Sequence, residues 1–280
     1  MKKKLMSVFL AGMMVFSMAG CGNGSKKTTE KTEIQVFIAA SLNTVMEELA
    51  SRYQKIQPNV NIIFNVDSSG TLLTQIEEGY ECDIFFSAAQ KQMDDLEADG
   101  LVKDETRANV VNNQVVVVSL KGSDTKVTGL KTLNHAQSIA LAGASVPVGR
   151  YTREALIKLG ILDGSKVAEE YTTEEISKAF GGVEISEQDN VSKVLTAVVE
   201  GSCEVGMTYY SDTYGYEKDL DILETVSYDL TGDVIYPICQ VVNEEADELQ
   251  TEAAADFYEF ILSDEAKEVF DSYYFDTDIE

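Results

Sequence analysis

Serine, tyrosine and bare backbone donors recur in this chain at the points where an apolar run gives way to an amphipathic one. Ser41 lies in Ile34–Met46, Ser68-Ser69-Gly70 in Ile62–Ile76, and Val148-Gly149 follows Pro147 in Ala140–Leu156. Val191 follows Asp189 and Asn190 in Gln188–Leu195, where no clear strand precedes it, and Tyr209 ends the run Val205–Tyr209. A helix N-terminus carries unpaired N–H groups and the positive end of a dipole, so several aimed at one point hold a small anion without Lys or Arg. The set is neutral and donates only, which suits a fully deprotonated tetrahedral dianion. Taken singly, each serine reads as a plain N-cap, the valines as core residues and Tyr209 as a core aromatic; the combination carries the reading.

The elements that would position these residues follow an α/β pattern. Ile34–Ala39, Val60–Val66, Asp83–Ser87, Val115–Leu120, Ser138–Ala142, Val205–Tyr209 and Val234–Val242 read as strands. Leu42–Gln57, Leu72–Glu78, Gln90–Gly100, Thr152–Leu159, Val191–Glu200 and segments near Asp247–Leu262 and Ser263–Tyr273 read as helices. Alternation of short apolar runs with amphipathic segments predicts an α/β fold.

The first residues form an address. Lys2, Lys3 and Lys4 precede a short apolar stretch, Leu5–Gly20, which ends Met18-Ala19-Gly20-Cys21. Small residues before a cysteine are what a bacterial lipoprotein signal requires, so residues 1–21 are expected to export the chain with Cys21 lipidated. Residues 22–33 are polar and aperiodic, a flexible tether. The chain's 22 basic residues face 48 acidic ones, a formal charge of −26. That field excludes nucleic acid as a partner and leaves the lipid anchor as the route to a membrane. It does not exclude an anion, because salt screens distant carboxylates beyond about 8 Å.

Other chemistries are poorly provided for. Cys82, Cys203 and Cys239 lie in or beside apolar runs, lack metal-ligand spacing and read as small core residues, although one pair could bridge. The chain has one histidine, His135, in a polar stretch, and no GxSxG elbow. An enzyme or a transition-metal receptor is therefore disfavoured, and neither a bare cation nor a cofactor is expected. Asp67, beside Ser68, would matter for a phosphate that still carries a proton; it reads as a solvated loop residue, and Arg150 as a surface one.

VFIAASL, SSGTLLTQIEEG, CDIFFSA, VPVGRYTREALIKLG, VGMTYYSD and FYEFILSDEAKEVF occur in this order across residues 34–276. In them the chain resembles the ModA family, the extracytoplasmic molybdate-binding proteins of ABC transporters. The resemblance implies a two-lobed, type II periplasmic-binding-protein fold with the oxyanion clasped in the inter-lobe cleft. It puts lobe one at residues 34–112 plus 234–280 and lobe two at 113–233. The ligand residues would be Ser41 and Ser69 from lobe one, with Val148, Val191 and Tyr209 from lobe two. The implied ligand is molybdate or tungstate, with sulfate or phosphate as the alternative. The implied partners are a permease and its ATPase, with the protein itself a monomer. Residues 161–187 are longer than the family pattern.

Overall fold

The computed structural model describes residues 31–279, so the leader, the lipidation of Cys21 and most of the tether lie outside the described residues. Residues 31 onward form one compact unit built on two mixed five-stranded sheets. The first sheet contains β1 (Thr32–Ala39), β2 (Val60–Asp67), β3 (Ile84–Phe86), β4 (Ala108–Asn113) and β10 (Val234–Gln240), in the order β2-β1-β3-β10-β4. The second contains β5 (Val115–Leu120), β6 (Ser138–Ala142), β7 (Glu184–Gln188), β8 (Val205–Tyr209) and β9 (Leu220–Thr225), in the order β7-β6-β8-β5-β9. The chain passes from the first sheet to the second across Gln114 alone and returns between β9 and β10.

Each sheet has a parallel half, β2-β1-β3 and β7-β6-β8, because helices carry the crossovers. These helices are α1 (Asn43–Ile56), α2 (Ser69–Glu77), α3 (Gln90–Ala98), α4 (Pro147–Lys158), α5 (Thr173–Ala179) and α6 (Val191–Val199). The short α7 (Tyr228–Thr231) precedes β10, and α8 (Glu248–Ile261) and α9 (Asp264–Ser272) return to pack against the first sheet and α1. Val45, Met46, Leu49 and Tyr53 fall on one face of α1 and are buried there, as their spacing predicts. Tyr53 meets Phe257 of α8 edge-to-face at 4.9 Å. Cys82, Cys203 and Cys239 are buried free thiols.

Two readings are corrected. The segment before Val191 does contain a strand, β7, pairing parallel with β6. Its sequence, EISEQ, is half-exposed or exposed throughout, so it lacks an inward apolar face to reveal it. And α4 begins at Pro147, not Thr152. Pro147 takes the first helical position, where its missing N–H costs nothing. Gly149 is demanded by packing: a Cβ there would lie 2.2 Å from the Gly143 carbonyl oxygen and 2.4 Å from that of Ala142.

Candidate functional site

Every donor stretch follows the carboxyl end of a strand in one of the parallel halves. Ser41 follows β1, Ser68 and Ser69 follow β2, Val148 follows β6, Val191 follows β7, and Tyr209 closes β8. Ligands of open α/β sheets sit outside these ends because the helix N-termini gather there. The structure brings all five sequence-predicted residues to one small cavity of about 10 Å³, on the scale of one water. Ala39, Ala40, Ser68, Ala88, Val146 and Pro147 complete the lining, so no charged side chain reaches it.

Tyr209 is 1% exposed, yet its hydroxyl has no hydrogen-bond partner among the described residues. Burial, reinforced by Tyr236, Tyr151 and Asp212, pushes its phenol well above its ordinary value, so it remains a donor at neutral pH. Ser69 is fully buried and its Oγ accepts from the Ala88 N–H at 2.9 Å, leaving the hydroxyl hydrogen to donate. Val148 and Val191 offer first-turn N–H groups that have no intrahelical acceptor, and no side chain caps α4. The Asn190 side chain caps α6 through Lys193 N–H, two residues beyond Val191, and leaves the Val191 N–H uncapped.

Two supports escaped sequence reasoning. Tyr236 of β10 lies 2.8 Å from Ser41 Oγ, and its oxygen accepts from Asn113 Nδ2 at 3.1 Å. With no other acceptor for the tyrosine hydrogen among the described residues, the network assigns it to Ser41 Oγ, which leaves the serine hydrogen for the cavity. Tyr236 stands inside an apolar run and Asn113 at the end of β4. The one sequence signal was a hydroxyl placed in the middle of VIYPICQVV.

The flanking charges also take definite positions. Asp67 accepts from Ser68 N–H at 2.7 Å and from Asn190 Nδ2 at 3.2 Å, so it links residues after β2 to the N-cap of α6 and does not line the cavity. Arg150 is not the surface residue expected. Its side chain is 14% exposed, paired with Glu154 at 2.5 Å and Glu169 at 3.9 Å, and its guanidinium lies 4.4 Å from the Tyr151 ring. His135 ends a 3-10 turn and is exposed.

Asp212 retains some exposure as a residue, but its carboxylate is enclosed, accepting from Thr208 Oγ1 at 2.6 Å and Tyr209 N–H at 2.9 Å. Burial outweighs these bonds and pushes it up to about 6. The fold therefore disfavours the ionised form, and stability is given up as pH rises from about 4 to about 6. Asp212→Asn is expected to stabilise the protein at pH 7–8, by on the order of 1–3 kcal/mol. The gain should vanish below about pH 4. Thermal melts of both proteins across that range check it; parallel curves would refute it.

Two lobes, each with a parallel half-sheet aimed at one donor-lined cavity, give the architecture of a periplasmic-binding-protein fold. The chain belongs to the bacterial extracellular solute-binding proteins, whose family model it matches over residues 34–276. It is 32% identical over 276 residues to YvgL of Bacillus subtilis, named as an ABC transporter substrate-binding lipoprotein, covering 97% of this chain and 98% of that one. It is 28% identical over 282 residues to the molybdate-binding protein ModA of Escherichia coli, covering 98% and 99%. Among solved structures, the Azotobacter vinelandii periplasmic molybdate-binding protein superposes with a TM-score of 0.70 at 18% identity, covering 86% of this chain and 98% of that one. This last likeness bears on the fold alone.

Proposed function

We propose that this protein captures molybdate, or tungstate of nearly the same size, for an ABC importer. The permease and its ATPase are its partners, and lipidated Cys21 holds it at the outer face of the cytoplasmic membrane. The ligand oxygens accept from the hydroxyls of Ser41, Ser69 and Tyr209 and from the N–H groups of Val148 and Val191. Lobe one is residues 34–112 plus 234–280 and lobe two is 113–233, so the anion bridges both and favours their closing.

The observation that carries this reading is the Tyr209 hydroxyl, buried without a partner on a cavity whose other polar groups are donors. Such a group costs free energy unless something accepts from it. Donor bonds to a charged ligand contribute roughly 1.5–3 kcal/mol each, so five of them reach the roughly 8 kcal/mol of a micromolar complex after association costs. The 28% identity to a protein named for molybdate binding adds the choice of anion.

Phosphate is the weaker reading, since no carboxylate lines the cavity to accept the proton it keeps near neutral pH. Sulfate shares the donor-only requirement and is distinguished by size. Calorimetric titration of the purified protein with molybdate, tungstate, sulfate and phosphate tests the proposal. Submicromolar binding of molybdate or tungstate with the other two silent is expected. Tight sulfate or phosphate binding, or silence from all four, would overturn it.

A further inference from the structure

Arg153 of α4 is fully buried, among the largest side chains to be so in the described residues. Its Nη1 donates to the carbonyls of Ala142 and Gly149, each at 2.9 Å, and its Nε to that of Tyr171 at 3.0 Å. Every partner is a neutral backbone group. Among the described residues, the ion pairs within 4.0 Å do not include Arg153. Burying a cation without a carboxylate partner is costly. Tying β6, α4 and Tyr171 together accounts for three donors but not for a charge. Neighbouring Arg150 differs, because Glu154 and Glu169 pair with its charge.

The location suggests what the charge is for. Ala142 is the last residue of β6, and Gly149 is the residue after Val148, which lines the cavity. Side chains on a helix lean toward its N-terminus, so the guanidinium lies beneath the first turn of α4. That puts it within roughly 10 Å of an anion at the Val148 N–H. Burial pulls Arg153 down to about 10, which leaves it charged at neutral pH.

We propose that Arg153 is the charge-selecting residue of the site: it acts through the α4 turn, without touching the ligand, to favour a dianion over a monoanion of the same size and shape. The proposal rests on the oxyanion reading above. A donor-only cavity sorts ligands by shape and by lack of protons, but hydrogen bonds alone separate the two charge classes weakly. A fixed unit charge at about 10 Å, at an effective dielectric near 20, gives on the order of a tenfold gain per unit of ligand charge. Two carboxylates oppose it. Glu187 lies beside Gly143 and is held by the Thr173 hydroxyl, and Asp212 sits behind Tyr209. Neither is within ion-pair distance of Arg153.

Molybdate and perrhenate are the probes, both tetrahedral and similar in size, with charges of two and one. Their dissociation constants at pH 7 and fixed ionic strength are measured for the wild type, Arg153→Gln, Arg153→Met and Arg153→Lys, with perrhenate read by competition at millimolar concentration. Folding of each variant is checked by circular dichroism. The neutral variants are expected to lose about tenfold in the ratio of molybdate to perrhenate affinity, while Arg153→Lys stays within about threefold of the wild type. Equal weakening of both anions in a folded neutral variant would show that Arg153 only shapes the turn, and would overturn the proposal. Should neither neutral variant fold, the lysine variant decides: a kept ratio supports the charge role, and a ratio reduced about tenfold overturns it. A wild type that binds neither anion would fail before any substitution, and the fault would then lie with the oxyanion reading itself.

Discussion

Ser69→Ala is expected to lower anion affinity by roughly ten- to hundredfold, the loss of one donor bond to a charged ligand. It should also destabilise the ligand-free protein by about 1–3 kcal/mol, because the buried Ala88 N–H loses its acceptor. Ser41→Ala should show both effects. Its oxygen is the acceptor for the Tyr236 hydrogen, and Asn113 Nδ2, which donates to Tyr236, cannot take that place. Calorimetry and denaturant melts of the two variants check both effects. Unchanged affinity in both would remove these serines from the site, and unchanged ligand-free stability would contradict the acceptor roles of their oxygens.

Tyr236→Phe extends the same logic at a distance. Without the phenol hydrogen, Ser41 is free to turn its own hydrogen elsewhere, and Asn113 Nδ2 keeps Ser211 Oγ at 2.8 Å as its remaining partner. Affinity should fall by less than in Ser41→Ala, and the double variant should be no worse than Ser41→Ala alone. Additive losses would mean that Tyr236 acts independently of Ser41.

How much of this was visible in the chain depended on burial. Val115–Leu120 and Val205–Tyr209 read to the residue because both faces of those strands are covered and every position is apolar or small. The edge strand β9, LDILET, is mostly half-exposed or exposed and its pattern is too mixed to be read. The Asn-rich β4 lacks a readable pattern although most of it is buried, since Asn113 serves hydrogen bonds to Ser211 and Tyr236 in place of an apolar core. Site residues were legible where each sits at a strand-to-helix junction, a local signal. Their support was not. Tyr236 lies 195 positions from Ser41, and only the return of the chain into the first sheet brings them together. Arg153 defeats pattern reading in another way, because an arginine on an amphipathic helix is expected on the solvent face. Here three backbone carbonyls give its guanidinium an interior place.

Gly70→Ala should separate closure from folding. A Cβ at Gly70 would stand 2.6 Å from the Ser145 carbonyl oxygen, where α2 of the first sheet's side meets the turn before α4. Contacts that short must be relieved by several tenths of an ångström, and here the atom in the way is backbone. Nearby, Asn190 Nδ2 reaches Asp67 at 3.2 Å across the same cleft. Pushing the lobes apart there carries the Val148 N–H away from Ser69, so hydrogen bonds near 2.9 Å stretch beyond useful length. If, as proposed, the lobes part without ligand, the added methyl is relieved of that contact, and alanine is the better helix former by up to about 1 kcal/mol. The expected result is an affinity loss on the order of tenfold or more with an unchanged or slightly raised melting temperature without ligand. A larger residue, Gly70→Val, should deepen the loss in affinity, because it forces the lobes farther apart. Affinity equal to wild type in both variants would mean that binding does not require the closed cleft. A fall in ligand-free stability instead would make Gly70 a packing residue of the fold. On the proposed function, closure and anion binding are coupled through the missing methyl group at Gly70, so its cost is expected only when the anion is present.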